Sequence, residues 1–596
     1  MQQKRFVNKG LKAHKLYAET PLFKAVLLVA IPGLLISFMS GIYVFADQLL
    51  LSLLVPQDPI HDMAKTIYPC YGIDVEEIKK ILEKLTGAGY NYSFAGTATI
   101  VKSAVAITLP IMMVINAVPN IAAIGAGSMY GQCIAKDNKP KALQIWKSTF
   151  YCAICIGLLS SLIFFSINDS ILKLMAGNRP HIKYGTAGLE QQEVNLVNQY
   201  FNVAYDTQIK WSHQFLDILS WSSILNVFIL YFSFMVRAEG KLAFITIAEM
   251  FCNVMNIIFD YIYIKLCHAG MMGGGLATLT GWSINVVVYA TYIWYLGKKE
   301  QTWMRYKDLL PKNGSPISFT ILGPIVIIGL SVFLRNFSNA IANSSFLTML
   351  ASVASKTNAD PQYWQGLSGI VWPVGSLFFY AVFGIADGVR TLVAYNYARN
   401  SYTRIRKTYW YATLLSFIYG IVVYTCLATF LGEALIKMFP FEQQLGHDIY
   451  ADSINYMRIQ VLFIPAVALS IGGLLIFQAT NQMAMANFIA ILQACLVFPI
   501  ASGTMYSIAV SLTQNPLTFV ITNPLNTGTA GLIITIISII YLYKYLGNTR
   551  IKTRVNVGNF IKNITIVVPT NIKKLSYAER ELQKSLQSDK LLVEKR

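Results

Sequence analysis

The chain has 596 residues, of which 55% are hydrophobic and only 13% charged, and its mean hydropathy is +0.49. A soluble globular domain is nearer ~25% charged, so that class is excluded. The net charge of +19 would suit a nucleic-acid binder, but no basic-aromatic recognition motif accompanies it, and the basic residues alternate with apolar runs in a way that reads as membrane topology.

Residues 1–20 form a basic N-terminus, with Lys4, Arg5, Lys9, Lys12 and Lys15 ahead of the first apolar run. That run, 24–54, lacks a small-residue cleavage site and reads as a true span with Pro32 a few residues in. The loop 55–99 is acidic on balance and contains an amphipathic stretch, Asp74–Thr86, with Val75, Ile78, Ile81, Leu82 and Leu85 on one face. Further spans are expected at 100–134, 148–167, 215–236, 242–267 and 274–296, with a second long outside loop at 168–214. A linker at 298–315 is rich in charge, Pro and Gly. Six more spans follow at 317–350, 366–398, 408–431, 455–480, 485–510 and 525–546, then a basic tail at 547–596 with a helix expected at Ala578–Glu594. Apolar segments of this length must satisfy their backbone internally, so the fold class is all-α integral membrane, with about twelve helices. Basic clusters after alternate spans place both termini in the cytoplasm and the chain in the cell membrane.

The division is 21–297 and 316–546, two six-helix lobes of the same orientation. Weak internal repetition supports it. An offset of 263 (373 − 110) pairs Pro110 with Pro373, Ile107 with Ile370, Ala123 with Ala386 and Gly125 with Gly388. Aligning Pro32 with Pro324 (offset 292 = 324 − 32) sets Asn339 opposite Asp47. Of the eight cysteines, Cys152 and Cys155 form a C-x-x-C inside an apolar helix with no second ligand pair, and read as packing residues.

One segment carries most of the functional signal. In Phe244–Ile264 the residues Glu249, Asn253, Asn256 and Asp260 fall at i, i+4, i+7 and i+11, one stripe on one helix face. A carboxylate at bilayer depth costs several kcal/mol unless it is paired, protonated or ion-bound. The stripe therefore points to movement of something across the membrane. Glu249 and Asn253 continue it toward the cytoplasm, as a proton path or as groups solvated by a vestibule. No nucleophile elbow, metal set or nucleotide loop is present, so no enzyme is expected.

Several motifs resemble the multidrug and toxic compound extrusion (MATE) family, in its prokaryotic DinF-like branch. They are Ile31-Pro32 with Phe45-Ala46-Asp47, Gly127-Ser-Met-Tyr-Gly131-Gln132, Arg237-Ala-Glu-Gly240, Asn256-Ile-Ile-Phe-Asp260, Gly273-Gly-Gly-Leu-Ala-Thr278, Ala394-Tyr-Asn-Tyr-Ala398 and Tyr456-Met-Arg458. The resemblance implies two pseudo-symmetric six-helix lobes and export of organic cations or drugs in antiport with H⁺ or Na⁺. It implies a cation site of Asp47, Asn256, Asp260 and Thr278, with Pro32 as a hinge in the first span. It implies no cofactor beyond the coupling ion, and a monomer in contact with lipid and small-molecule substrate. Asn226 is the one asparagine of span four available to join a polar cluster. Arg335, Asp387 and Arg390 lie near membrane depth in the second lobe, as a structural ion pair of Arg335 with Asp387 or as a substrate-facing group. The runner-up reading is a flippase for a lipid-linked saccharide or lipid, which would need cations such as Arg335, Arg390 and Arg458 facing a cavity.

Overall fold

The computed structural model describes residues 19–546, apart from 91, 93, 136–137, 240, 311–317, 399, 440–448 and 481. The basic N-terminus, part of the linker, and the tail with its expected helix therefore lie outside the described residues. In chain order the main helices are α1 (Leu22–Leu54), α2 (Val75–Gly87), α3 (Thr97–Ala117), α4 (Asn120–Ala135), α5 (Lys139–Ala176), α6 (Gln191–Trp221), α7 (Ser223–Ala238), α8 (Leu242–Tyr261), α9 (Gly270–Lys298), α10 (Phe319–Lys356), α11 (Pro361–Ala398), α12 (Tyr402–Ala428), α13 (Phe430–Ile436), α14 (Ile449–Gln460), α15 (Phe463–Ala479), α16 (Met483–Leu492), α17 (Phe498–Ile508) and α18 (Thr522–Ile540). Eleven stretches are long and apolar enough to cross a bilayer, and α6 with α7, bent by 48°, makes a twelfth. The expected all-helical membrane architecture is met.

The outside loop expected at 168–214 is corrected. α5 runs on to Ala176 and α6 starts at Gln191, so the stretch between helices is 177–190. Hydropathy ends where the apolar slab ends, but these helices continue beyond it as amphipathic ones. Val197, Tyr200, Phe201 and Ala204 are buried while Asn202, Asp206 and Lys210 are exposed. The expected single span at 215–236 is likewise two helices broken at Ser222.

The 55–99 segment folds down onto α6. Asp74 caps α2 by accepting from Glu76 N at 2.9 Å, which satisfies one of the orphan first-turn donors. Ile78, Ile81, Leu82 and Leu85 are buried, as the amphipathic pattern requires. Lys84 pairs with Glu193 at 2.5 Å. Tyr68 donates to Ala95 O at 2.6 Å, and Ala95 N donates to the Tyr200 hydroxyl at 2.5 Å. After α9 the chain is pinned to the first half, with Trp146 Nε1 donating to Arg305 O at 3.4 Å and the Tyr151 hydroxyl to Leu309 O at 3.0 Å.

The buried apolar residues form two clusters. One runs from Leu51 to Ile325; the other holds Phe45, Leu49 and residues from Phe346 to Val520. The halves meet through glycines that let backbones approach closely, the device that membrane helices use in place of a hydrophobic drive. A Cβ on Gly33 would overlap the Gly384 carbonyl, and one on Gly329 would overlap the Ile121 carbonyl. A Cβ on Gly388 would overlap the Val29 carbonyl, and one on Gly125 the Ile325 carbonyl. These contacts obey a pseudo-two-fold. Ile121 and Gly384, like Gly125 and Gly388, differ by 263 (384 − 121; 388 − 125), while Gly33 and Gly329, like Val29 and Ile325, differ by 296 (329 − 33; 325 − 29). The offset of 263 expected from sequence recurs. The proline-based offset of 292 is out by one helical turn: the counterpart of Asp47 is Asn343 (47 + 296), not Asn339. The prolines mislead because they do not occupy equivalent positions: the counterpart of Pro32 is Ile328 (32 + 296), and Pro324 lies one turn before it.

Candidate functional site

Asp47, Asn256, Asp260 and Thr278 are all buried, at 4%, 3%, 0% and 0% exposure. Three helices bring them together. α9 carries Thr278 between Gly274 and Gly281, and both glycines face neighbours. A Cβ on Gly274 would sit 2.8 Å from Leu51 Cδ2 of α1, one turn beyond Asp47. A Cβ on Gly281 would sit 3.1 Å from Asn256 Cβ of α8. Small residues at these two points let α1 and α8 close on Thr278. α8 then widens to a π-helical turn at Ile262–Leu266 directly after Asp260, an irregularity common beside functional groups.

The Asp47 and Asp260 carboxyls lie within interacting distance of each other. Asp47 Oδ1, both Asp260 oxygens, Asn256 Oδ1 and Thr278 Oγ1 are buried with no hydrogen-bond partner inside the protein. Two neighbouring buried carboxylates with unpartnered oxygens repel one another, and the repulsion is relieved by a shared proton or by a hard cation that prefers oxygen ligands. This donor set fits H⁺ or Na⁺. Sequence reasoning missed Tyr43, whose ring stands against Asp47, Asp260 and Thr278. Its position one turn before Asp47 on α1 was the signal available.

The other candidate residues fall elsewhere. Glu249 accepts from Tyr289 at 3.2 Å, Ser233 at 3.3 Å and Arg237 at 3.4 Å. It is engaged in an ion pair at the end of the stripe, and Asn253 stands half-buried between it and Asn256. Pro32 sits exposed in an unbroken α1, next to the Gly33–Gly384 contact. Asn226 donates to Asn116 Oδ1 at 2.7 Å, which links α7 to α3. The side chains of Arg335 and Asp387 lie outside the described residues, so their pairing does too. Arg390 is half-buried on α11. Arg458 donates to Ala428 O at 3.1 Å, at the end of α12.

A cavity of about 440 Å³ lies against both halves. α1 contributes Ser37 and Ser40, α3 contributes Asn116, and α10 contributes Asn336, Asn339 and Asn343. Trp372, Phe379 and Phe463 form an aromatic wall, with Trp372 and Phe463 stacked at 6.2 Å. One helix thus carries both Asp47 and the cavity wall. Ser40 lies seven residues before Asp47, about 10 Å along the axis.

Residues 337–503 match the MatE family model. A Mycoplasmoides gallisepticum protein described as an uncharacterised MG447 homolog is 25% identical over 89% of this chain and 91% of its own length. The multidrug export protein MepA of Staphylococcus haemolyticus is 22% identical over 67% of this chain and 77% of its own. A structure titled as the inward-facing conformation of a multidrug resistance MATE family transporter superposes at a TM-score of 0.59, with 17% identity, covering 82% of this chain and 98% of that one. A MATE structure in the straight conformation reaches a TM-score of 0.61, covering 89% and 97%. The MatE match over residues 337–503, the similarity to MepA export proteins and the fold shared with MATE transporter structures make this a multi-pass membrane protein that resembles the MATE family.

Proposed function

We propose that the chain exports organic cations or drugs in exchange for inward H⁺ or Na⁺, by alternating access between its two halves. The observation that carries this reading is the buried oxygen cluster of Asp47, Asn256, Asp260 and Thr278, with its unpartnered atoms, on the same helix that walls the cavity. Cation or proton binding removes the repulsion between the carboxylates and draws α8 and α9 onto α1. Because α1 also packs on α11 through Gly33, Gly384 and Gly388, a change in α1 is passed to the inter-half contact and the cavity wall. Pro32 removes one backbone donor from α1 and gives it a place to bend. Moving one charge down 100 mV releases about 2.3 kcal/mol, enough for roughly a 50-fold substrate gradient.

The basic clusters orient the chain with both termini in the cytoplasm of the cell, and two separate cores within one chain suit a monomer. The DinF-like branch rests on the motifs alone. A flippase would need cations turned to the cavity; Arg458, bound to a helix-end carbonyl, gives it no support.

The test is ethidium efflux from proteoliposomes under imposed pH or Na⁺ gradients, with Asp260→Asn in parallel. Efflux driven by one gradient and lost in the variant supports the reading. No efflux under either gradient, from folded protein, refutes it for this dye class.

A further inference from the structure

We infer that the outer mouth between the two halves is held shut by a lock of three buried glutamines, Gln208, Gln362 and Gln365, which part before the cavity opens to the outside. The inference rests on the alternating-access reading and names the residues that hold one of its two closed ends.

The lock joins elements of different halves. Gln208 belongs to α6, in the stretch that outlasts the bilayer, while Gln362 and Gln365 stand on the first turns of α11. Gln362 Nε2 donates to Gln208 Oε1 at 3.1 Å, and Gln208 Nε2 donates to Gln365 Oε1 at 3.4 Å. Gln365 Nε2 in turn donates to Met175 O, at the end of α5, at 2.9 Å. The bonds therefore cross between the halves three times. All three side chains are at most 5% exposed. Asp360 steadies the start of α11 by accepting from Gln362 N at 2.8 Å.

The pseudo-two-fold sets the place of the lock. Residues that are mates of one another touch only where the axis passes. Ala106 and Gly369 are mates (369 − 106 = 263), and a Cβ on Gly369 would stand 3.4 Å from the Ala106 Cβ and overlap the Lys102 carbonyl. Gln365 lies one turn before Gly369, so the lock sits beside the axis. It also lies seven residues before Trp372 of the cavity wall, about 10 Å along α11 toward the end that the basic clusters place outside.

The chemistry suits a contact that is made and broken. Nearer the cytoplasm the halves meet sterically, through Gly33 on Gly384 and Gly125 on Ile325. At the outer end they meet through carboxamides, which carry no charge and offer both donor and acceptor. When the mouth opens, water takes over these bonds and no charge is stranded. When it is closed and dry, a carboxamide that loses its partner is costly. Removing Gln208 leaves Gln362 Nε2 and Gln365 Oε1 without the partners they have here. The penalty falls on the closed state alone and shifts the population toward the outward-open one.

The experiment measures the rate at which a membrane-impermeant maleimide labels Ser40→Cys on the cavity wall, in the full-length chain with its native cysteines replaced. The reagent is added to intact cells, to probe from outside, and to inverted vesicles, to probe from inside. Gln208→Leu should raise the outside rate roughly 5-fold or more and leave the inside rate no higher. Gln365→Met, on the other helix, should do the same, each variant keeping its melting temperature. Gln214→Leu is the control: it lies on α6 and its buried Oε1 has no partner within the protein, so both rates should match wild type. An outside rate unchanged in both folded variants overturns the lock. A rise of equal size from both faces, the mark of a loosened fold, also overturns it, as does a rise from inside only. Labelling needs no transport, so the exporter reading fails separately. An outside-selective rise in a protein that moves no ethidium under either gradient refutes the exporter and leaves the lock standing. Ethidium efflux with no such rise does the reverse.

Discussion

Substituting Gly384 by alanine should force the α1–α11 contact apart. A Cβ there would lie 2.7 Å from the Gly33 carbonyl carbon and 2.7 Å from Ser37 Oγ, and closer still to the Gly33 oxygen. Ordinary contact begins at 3.4 Å, so the shortfall at carbon is 0.7 Å (3.4 − 2.7), and the obstacle is mostly backbone. Helices in a packed bundle do not yield that distance freely. Overpacking of this kind costs about 1–3 kcal/mol, which corresponds to a shift of roughly 5–150-fold between conformers. Alanine also gains up to ~1 kcal/mol of helix propensity over glycine, so Gly366→Ala on the same helix, where a Cβ meets nothing within 4 Å, is the control. The assay is labelling of Ser40→Cys by a membrane-impermeant maleimide in a background with the native cysteines replaced. Gly384→Ala should raise the labelling rate at this cavity-wall position at least severalfold, and Gly366→Ala should leave it unchanged. Equal rates in the two variants would refute the claim that this glycine contact holds the halves together.

Three further outcomes follow from other contacts. Asp58, just beyond α1, is partly desolvated, which pushes its carboxyl up, but hydrogen bonds from Ile60 N, His61 and His268 outweigh this and hold it below the ordinary value of 3.8. A depressed carboxyl stabilises the fold above its unfolded value, and the benefit is lost as pH falls through the lower folded value. Wild type should therefore melt above Asp58→Asn at neutral pH, with the gap closing only below pH 3.8; a pH-independent gap would be inconsistent. Glu249→Gln should lower the melting temperature, by breaking the Arg237 pair, while leaving coupled transport intact, and loss of coupling in a stable variant would restore Glu249 as a proton relay. Tyr43→Phe, which removes the hydroxyl beside Asp47, Asp260 and Thr278, should weaken cation affinity severalfold, with the fold unchanged by circular dichroism.

Much of this was legible from residues. Hydropathy with charge alternation located each span, and the 3.6-residue period found α2 and the Asn256–Asp260 stripe. What escaped lay where a different physical cause took over. The 168–214 helices outlast the bilayer, so apolarity no longer marks them. The bend at Ser222 has no proline or glycine to announce it. The repeat register followed prolines, whereas the packed structure follows glycine contacts such as Gly33 on Gly384. The Asn336, Asn339 and Asn343 stripe was readable by the same period as the acidic one, but carboxamides carry no Born penalty to draw attention to them. The convergence of Asp47 and Thr278 on Asp260 came from family resemblance, since no local pattern links residues so far apart.

The most direct test of the account is cation binding without substrate. Purified wild type, Asp47→Asn and Asp260→Asn are titrated with radiolabelled Na⁺ and, separately, with acid while bound protons are counted. Wild type should take up one of the two cations saturably, and both variants should lose that uptake while keeping their melting temperatures. Binding in Asp260→Asn equal to wild type would contradict the assignment of the buried oxygen cluster as the coupling site.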